Sequence, residues 1–220
     1  MKLVKFFFVL LLAFVFMFSG YAQREVKLFL SPATAMCPNF SPAIQPGIEW
    51  KADNHFGLLG EFAVPYNAYK DSNALHPKFL RSRIGLRYHF NGYNPFYVGM
   101  SFAYTKRSFD NLKSGSFNQL GEPDSVRYNF KSAHINSPFS SITIDAGFTG
   151  ILYKKIGIEL FGGLGLRTTN TSYSSLVELQ KVTYFEGVKC GFVIPRTWQT
   201  SGKVNGIQLN LGVRLFYTLK

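Results

Sequence analysis

The sequence lacks the residue patterns that mark metal and phosphate sites. Its four histidines, His55, His76, His89 and His134, are scattered, and none stands at a metal-ligand spacing from a second histidine or a cysteine. No glycine-rich stretch both follows a strand pattern and opens a helix, so a phosphate-binding loop is absent. The sequence therefore predicts neither a metal nor a cofactor.

Long helices and long hydrophobic runs are also scarce. The 20 glycines and 10 prolines are spread along the 220 residues, which argues against a fold dominated by long helices. Beyond the N-terminal leader described below, no segment stays apolar for the roughly 20 residues that a membrane-spanning helix needs. The composition argues against disorder, because 46% of the residues are hydrophobic and 17% are aromatic.

Acidic residues are few, since 12 Asp and Glu stand against 24 Lys and Arg and the net charge is +12. Such a balance suggests nucleic acid only if the protein stays in the cytoplasm.

The N terminus argues against a cytoplasmic location. Two lysines precede an uncharged run at residues 6–18, and Gly20 and Ala22 supply the small side chains that signal peptidase accepts. We therefore expect a cleaved signal peptide at residues 1–22, an exported domain at residues 23–220 and no nucleic-acid partner; a permanent N-terminal anchor is disfavoured because the run is short.

After the leader, large hydrophobic residues alternate with small or polar ones at a period of two. In the stretch that begins at Phe56, for example, Gly57, Glu61 and Ala63 share one face, and the other face carries Phe56, Leu58, Phe62, Val64 and Tyr66. Six stretches show this pattern clearly, and two earlier ones show it more weakly, the second because prolines interrupt it. The eight predicted strands lie near residues 26–30, 44–50, 56–66, 80–90, 96–104, 142–152, 156–166 and 207–217.

The connections between these strands alternate between short and long. Short turns are predicted at residues 53–55, 91–95 and 154–155, and long loops at residues 32–41, 67–77, 110–137 and 174–202. An even number of alternating strands with short turns at one end and long loops at the other is typical of bacterial outer-membrane barrels. The predicted fold is all-β, an eight-stranded antiparallel up-and-down transmembrane β-barrel with long loops at one end.

The volume of such a barrel decides which face points outward. The interior of eight strands is just wide enough to be filled by side chains or to hold one small ligand. Nearly all the large apolar residues together would overfill it, which is destabilising. The apolar face is therefore predicted to contact lipid rather than the core of a soluble barrel, and the ring must close because an open edge would leave unpaired backbone groups in hydrocarbon.

The opposite face carries charges of both signs. We expect these residues to form a salt-bridged plug that fixes the shape of the barrel, because buried charges are tolerated when they are paired. A narrow ion pathway is the alternative, although eight strands leave little lumen for it. The repeated Gly-Leu/Val-Arg triplets at residues 85–87, 165–167 and 212–214 are interpreted as glycines that leave room for the guanidinium groups. The predicted inward charges are Lys27, Glu49, Glu61, Arg81, Arg83, Arg87, Asp145, Glu159, Arg167 and Arg214.

A further motif lies in the last predicted strand, where a polar residue, a glycine and two spaced hydrophobic or aromatic residues occur as Asn210, Gly212, Leu215 and Tyr217. On this motif and the strand pattern, the chain resembles small eight-stranded outer-membrane barrels of OmpA-barrel or OmpX-like architecture, closest to uncharacterised single-domain barrels of Bacteroidota. It departs from the motif in continuing for three residues beyond the tyrosine. The resemblance implies recognition by the barrel-insertion machinery and residence in the outer membrane of a Gram-negative bacterium, among lipid and lipopolysaccharide.

The two cysteines, Cys37 and Cys190, fall in the first and last long loops. In a closed barrel the first strand pairs with the last, which brings these loops together in a compartment that permits disulfides. A bond between the two residues and a pair of free thiols are both compatible with the sequence, because loop tips can lie beyond the ~7 Å Cα limit for bonding.

Three classes of function are compatible with this architecture. We favour a non-enzymatic structural or surface-interaction barrel whose long loops meet an unidentified extracellular partner, since loops on a rigid scaffold collect binding residues. A lipid A-modifying enzyme is an alternative, for which Ser132, His134 and Ser137 are the candidate grouping, but spacing alone does not supply the geometry of a triad. The third is a narrow ion channel. The apolar composition of residues 174–202 predicts extra hairpin structure in that loop.

Overall fold

The fold consists of β-strands throughout the part of the chain that can be described. In the computed structural model these are residues 25–31, 43–51, 53, 55–65, 78–90, 95–123, 126–183 and 200–219. They contain ten strands: β1 Glu25–Ser31, β2 Ala43–Lys51, β3 Phe56–Pro65, β4 Lys78–His89, β5 Phe96–Gln119, β6 Val126–Asn136, β7 Phe139–Tyr153, β8 Ile156–Val177, β9 Gln180–Thr183 and β10 Thr200–Leu219. No helix long and apolar enough to cross a membrane occurs within these ranges.

Eight of the strands close into a ring of antiparallel pairs. The order β1-β2-β3-β4-β5-β7-β8-β10 returns to β1, where Leu28 lies opposite Tyr217. The ring closes where residues 26–30 of β1 pair with residues 215–219 of β10. We call the end that carries the turn at Lys154 and Lys155 the lower end and the opposite end the upper end. The prediction of an all-β chain with antiparallel pairing is confirmed.

The predicted number of strands is wrong, because two regions predicted as loops contain paired strand. At the upper end, β5 continues to Gln119 and pairs with the antiparallel strand β6, so that Phe117 lies opposite Tyr128. Strand β8 likewise continues to Val177, pairs with β6, and is followed by β9, which pairs with the far part of β6. We call β6, β9 and the parts of β5 and β8 that pair with β6 the upper extension. An apolar cluster holds it together and consists of Phe109, Phe117, Phe130, Ala133 and Ile135.

The two faces of the ring differ in chemistry as well as in exposure. On β4, Ile84 and Leu86 point outward and are 62% and 48% exposed, whereas the flanking Arg83 and Arg87 point inward and are each 3% exposed. The same alternation holds on the other ring strands, because successive side chains of a strand point to opposite faces. Large apolar residues therefore cover the outside of the ring, and its interior is filled by charged and polar residues together with a few buried apolar ones such as Phe29, Leu59 and Phe216.

The nearest contacts of the triplet glycines do not support their interpretation as space for the guanidinium groups. A side chain at Gly85 would meet Ser101 at 3.2 Å, one at Gly212 would meet the ring of Phe161 at 2.5 Å, and one at Gly165 would meet the neighbouring strand's backbone. None of these nearest contacts is an arginine. A Cβ lies beside its cross-strand neighbour, whereas an arginine two residues along carries its guanidinium away from the strand.

Candidate functional site

The centre of the ring brings together inward side chains from six strands. Glu49 of β2, Glu61 of β3, Arg83 and Arg87 of β4, Asp145 of β7, Glu159 of β8 and Arg214 of β10 form one ionic network, which we call the interior network. All seven side chains are buried. Each strand contributes by period-two alternation, which turns these charged residues to the inner face of the ring.

One half of the interior network is centred on Glu61. Arg214 Nε and Nη2 donate to the two carboxylate oxygens of Glu61 at 2.5 and 2.9 Å. Arg83 Nη1 also donates to Glu61, at 3.2 Å, and its Nη2 donates to Asp145 at 2.6 Å. Ser101 Oγ donates a further bond of 2.6 Å to Asp145. Two-pronged arginine–carboxylate pairs of this kind are stronger and more directional than single ion pairs.

The other half is centred on Glu159. Arg87 donates to both of its carboxylate oxygens at 3.0 and 3.1 Å, Arg214 Nη1 donates to one of them, and the Tyr97 hydroxyl donates to it at 2.7 Å. Arg87 also reaches Glu49 at 3.2 Å, and His89 Nε2 lies 2.8 Å from that carboxylate. Because Arg214 joins the two halves, the network is continuous across the ring.

Aromatic rings cover the faces of the central arginines. The guanidinium carbon of Arg214 lies 3.6 Å from the centroid of the Phe161 ring, and that of Arg87 lies 4.3 Å from the Tyr97 ring. A cation over an aromatic face is stabilised by the ring quadrupole, most strongly where water is excluded. The contacts fix the guanidinium planes while their edges donate to carboxylates.

Three further residues predicted to be inward lie near the network or at the upper end. Lys27 and Arg81 are buried, and Lys27 Nζ lies 3.9 Å from Glu25. Arg167 is half-buried and lies over the ring of Phe139 at 5.6 Å. All three side chains point into the ring, as predicted.

Sequence reasoning missed the neutral members of the interior. Ser101 and Thr143 bond to each other at 2.8 Å and to Asp145, and Asn210 donates to Thr143 at 3.2 Å. His89 and Tyr97 bind the carboxylates as described above. Each of these residues occupies an inward position in the period-two alternation, so the sequence pattern could have identified it. The predicted network contained only the charged residues of that face.

The predicted insertion motif divides between the two faces of β10. Asn210 is buried inside the ring and Gly212 lies beside Phe161, while Leu215 and Tyr217 are exposed on the outside. Inside the ring, the Asn210 amide donates a hydrogen bond to the Thr143 hydroxyl.

At the upper end, the candidate serine grouping is separated. Ser137 is buried and bonds to Arg107 and Thr171, whereas His134 Nδ1 lies 2.8 Å from Asp110 on the outer surface. Hydrogen bonding by Lys78 is the main reason that the pKa of Asp110 lies below its usual range. Among the described side chains, no serine hydroxyl is hydrogen-bonded to the His134 ring.

At the lower end, a short turn is fixed by Asp53. Its Oδ1 accepts hydrogen bonds from the backbone N–H groups of Phe56 at 2.6 Å and His55 at 2.7 Å. These bonds favour the ionised carboxylate, so the pKa of Asp53 lies below its usual range.

Several predictions lie outside the described residues. These are the signal peptide at residues 1–22, the long loops at residues 32–41 and 67–77, and both members of the Cys37–Cys190 pair. His76 lies outside them as well. Within the described ranges, no group of three or more His, Cys, Asp or Glu side chains is arranged to hold a metal ion.

Comparison with known proteins adds no relative. No family model matches the sequence, and no curated protein and no solved structure is significantly similar to the chain.

Proposed function

We propose that this protein is an integral outer-membrane β-barrel of a Gram-negative bacterium, in which the eight ring strands span the membrane and the interior network closes the lumen. One observation carries the proposal: the ring strands turn most of their large apolar side chains outward, whereas the buried charged side chains point inward. Soluble monomers rarely expose a continuous apolar patch of more than a few hundred Å². A closed ring with an apolar exterior has its backbone groups paired and its side chains matched to lipid.

Aromatic contacts at the lower end also support a lipid-facing exterior. Outside the ring, Tyr88 packs edge-on against Phe56 and Phe90 at centroid distances of 5.3 and 5.4 Å, and Phe96 packs against Phe148 at 5.2 Å. Aromatic girdles are typical of the level at which a barrel leaves the hydrocarbon. The lower turns would then face the periplasm, and the upper extension would face the cell exterior.

The function we propose is structural or surface-interacting and non-enzymatic. The upper extension, built from the far parts of β5 and β8 with β6 and β9, projects from the ring and is held rigid by its apolar cluster. A rigid projection presents side chains to an extracellular partner at low entropic cost. The surroundings in this proposal are lipid and lipopolysaccharide, and the barrel-insertion machinery acts during assembly.

Membrane residence is tested by cell fractionation combined with gel mobility of boiled and unboiled samples. We expect the protein in the outer-membrane fraction and a mobility that changes on boiling, because a closed ring stays compact in detergent until heated. Recovery in the soluble periplasm, or identical mobility, would contradict the proposal.

Orientation is tested by thiol labelling of whole cells in a background in which Cys37 and Cys190 are replaced by serine. A Leu120→Cys variant carries its thiol in the turn of the upper extension, and a matched Lys155→Cys variant carries it in a lower turn. We expect a membrane-impermeant maleimide to label the first in intact cells and the second only after the cells are broken. The reverse pattern would contradict the orientation.

The channel alternative is addressed by planar-bilayer conductance of the purified protein. Because the central arginines and carboxylates bond across the ring, we expect little conductance. A large and steady conductance would favour the ion pathway over the plug.

One observation favours a lipid-modifying enzyme as the second candidate. Asp110 holds His134 through Nδ1 on the outer surface, as the acidic member of a serine triad orients its histidine. The comparison of Ser132→Ala and His134→Asn with the parent in a lipid A deacylation assay tests this candidate. Activity that both substitutions abolish would establish it, and no activity in the parent would exclude it for that substrate.

A further inference from the structure

The upper interior of the ring holds two neighbouring arginines, Arg107 of β5 and Arg167 of β8. Both guanidinium groups lie over the ring of Phe139 on the intervening strand β7, at 5.5 and 5.6 Å from its centroid. The charge that acts on Arg107 is that of Arg167, which is also positive and therefore repels it. In the described ranges, no carboxylate lies within ion-pair distance of Arg107, in contrast to the arginines of the interior network.

Buried hydroxyl groups surround this pair. Thr105 and Thr169 lie directly opposite Phe139 on its two neighbouring strands, and both are buried, at 3% and 1% exposure. Neither hydroxyl has a hydrogen-bond partner among the described residues, and the same holds for Nε of Arg107. A buried donor without a partner costs free energy, so several such donors in one place favour a ligand that accepts from all of them.

We propose that this part of the interior, between Arg107 and Arg167, binds a tetrahedral oxyanion of the phosphate or sulfate class. Its charge would relieve the repulsion between the two guanidiniums, and its four oxygens could accept bonds from different directions. Guanidinium groups suit phosphate because they donate two parallel bonds. Ser137, which accepts a 2.9 Å bond from Arg107 Nη2, holds that guanidinium in position.

The position of the site selects a water-soluble anion. Both arginines are only half-buried, so solvent reaches them, and both point into the ring rather than toward its apolar exterior. A phosphate attached to a lipid would have to leave its headgroup layer to enter. The inference does not depend on membrane insertion, because the site lies inside the ring in any surroundings.

The test is calorimetric titration of the folded full-length protein in detergent micelles with inorganic phosphate and with sulfate, against chloride at equal ionic strength. We expect Arg107→Gln to weaken phosphate binding about tenfold and Thr169→Val, which keeps the shape of the side chain, about threefold. Lys106→Gln is the matched control, because it removes a positive charge from the next residue on β5, which points outward. We expect it to leave phosphate affinity unchanged.

Three outcomes would overturn the proposal. The first is equal heat from phosphate and chloride, and the second is equal loss of binding in Arg107→Gln and Lys106→Gln, which would indicate a general surface-charge effect. The third is displacement of phosphate by phosphatidic acid added to the micelles, which would place the phosphate site at the lipid boundary. If Arg107→Gln fails to fold, unchanged affinity in Thr169→Val would equally count against the site.

Discussion

Arg214 of β10 and Glu61 of β3 form a two-pronged ion pair across the inside of the ring, although they are 153 residues apart in sequence. Strands β1 and β2 lie between their own strands in the order of the ring. The pair therefore connects separate parts of the wall rather than neighbouring strands. Because both side chains are fully shielded from solvent, each depends on the other for its charge to be tolerated.

The first prediction concerns this pair. Glu61→Gln leaves two arginines with less compensation, and we expect it to lower the free energy of unfolding by ~3–5 kcal/mol. Glu61→Gln combined with Arg214→Met removes both partners and should recover much of that loss. Denaturant unfolding in lipid bilayers measures both. Additive costs in the double variant would show that the pair is not coupled.

The second prediction compares two leucines that are similarly exposed. Leu86→Arg places a charge on the outer face of the ring and should cost ~2–4 kcal/mol if that face lies near the bilayer midplane. Leu120→Arg introduces the same side chain in the turn of the upper extension and should change stability by less than ~0.5 kcal/mol. Unfolding in lipid bilayers is the measurement, and equal costs at the two positions would argue against a lipid-facing band.

The third prediction concerns a glycine beside a buried tyrosine. A Cβ at Gly147 would collide with the ring of Tyr97, whose hydroxyl donates to Glu159, whereas a Cβ at Gly206 meets nothing within 4 Å. We expect Gly147→Ala to destabilise the protein by ~1–3 kcal/mol through overpacking. Gly206→Ala should be neutral or slightly stabilising, because it reduces the freedom of the unfolded chain. Thermal unfolding of the two variants tests this prediction. Unchanged stability in Gly147→Ala would mean that the Tyr97 ring can move without cost.

The fourth prediction is a pH dependence at the lower turn. Since the pKa of Asp53 is lower in the folded state, its carboxylate stabilises the fold above its unfolded pKa, and this contribution is lost as the pH falls through the folded value. Asp53→Ala should therefore cost about 1 kcal/mol or less at pH 7, because the site is exposed, and less still near pH 3.

Unfolding at both pH values measures this difference, with Asp53→Ser as the control. Serine keeps a hydrogen-bond acceptor without the charge, so its effect should vary less with pH than that of alanine. A cost for Asp53→Ala that does not change with pH would show that the ionised carboxylate is not responsible.

The sequence alone was sufficient to predict the faces of the ring strands. Period-two alternation depends only on the geometry of a single strand, so residues such as Leu86 and Arg87 could be assigned to opposite faces without knowledge of their neighbours. The volume of a narrow ring then decided which face points inward. The same reasoning failed for the upper extension, because whether β5 continues past Asp110 depends on pairing with β6 and on packing between Phe117 and Tyr173, whose rings stack at 4.0 Å.

The identity of the pairs inside the ring was decided by tertiary structure alone. The sequence predicted that Glu61, Arg83 and Arg214 point inward, but which carboxylate accepts from which arginine depends on how far each strand is staggered against the next around the closed ring. The sites of Phe161 and Tyr97 over the guanidiniums follow from the same stagger. Alternation is a local property of the chain, whereas contact across a ring depends on every strand in its circumference.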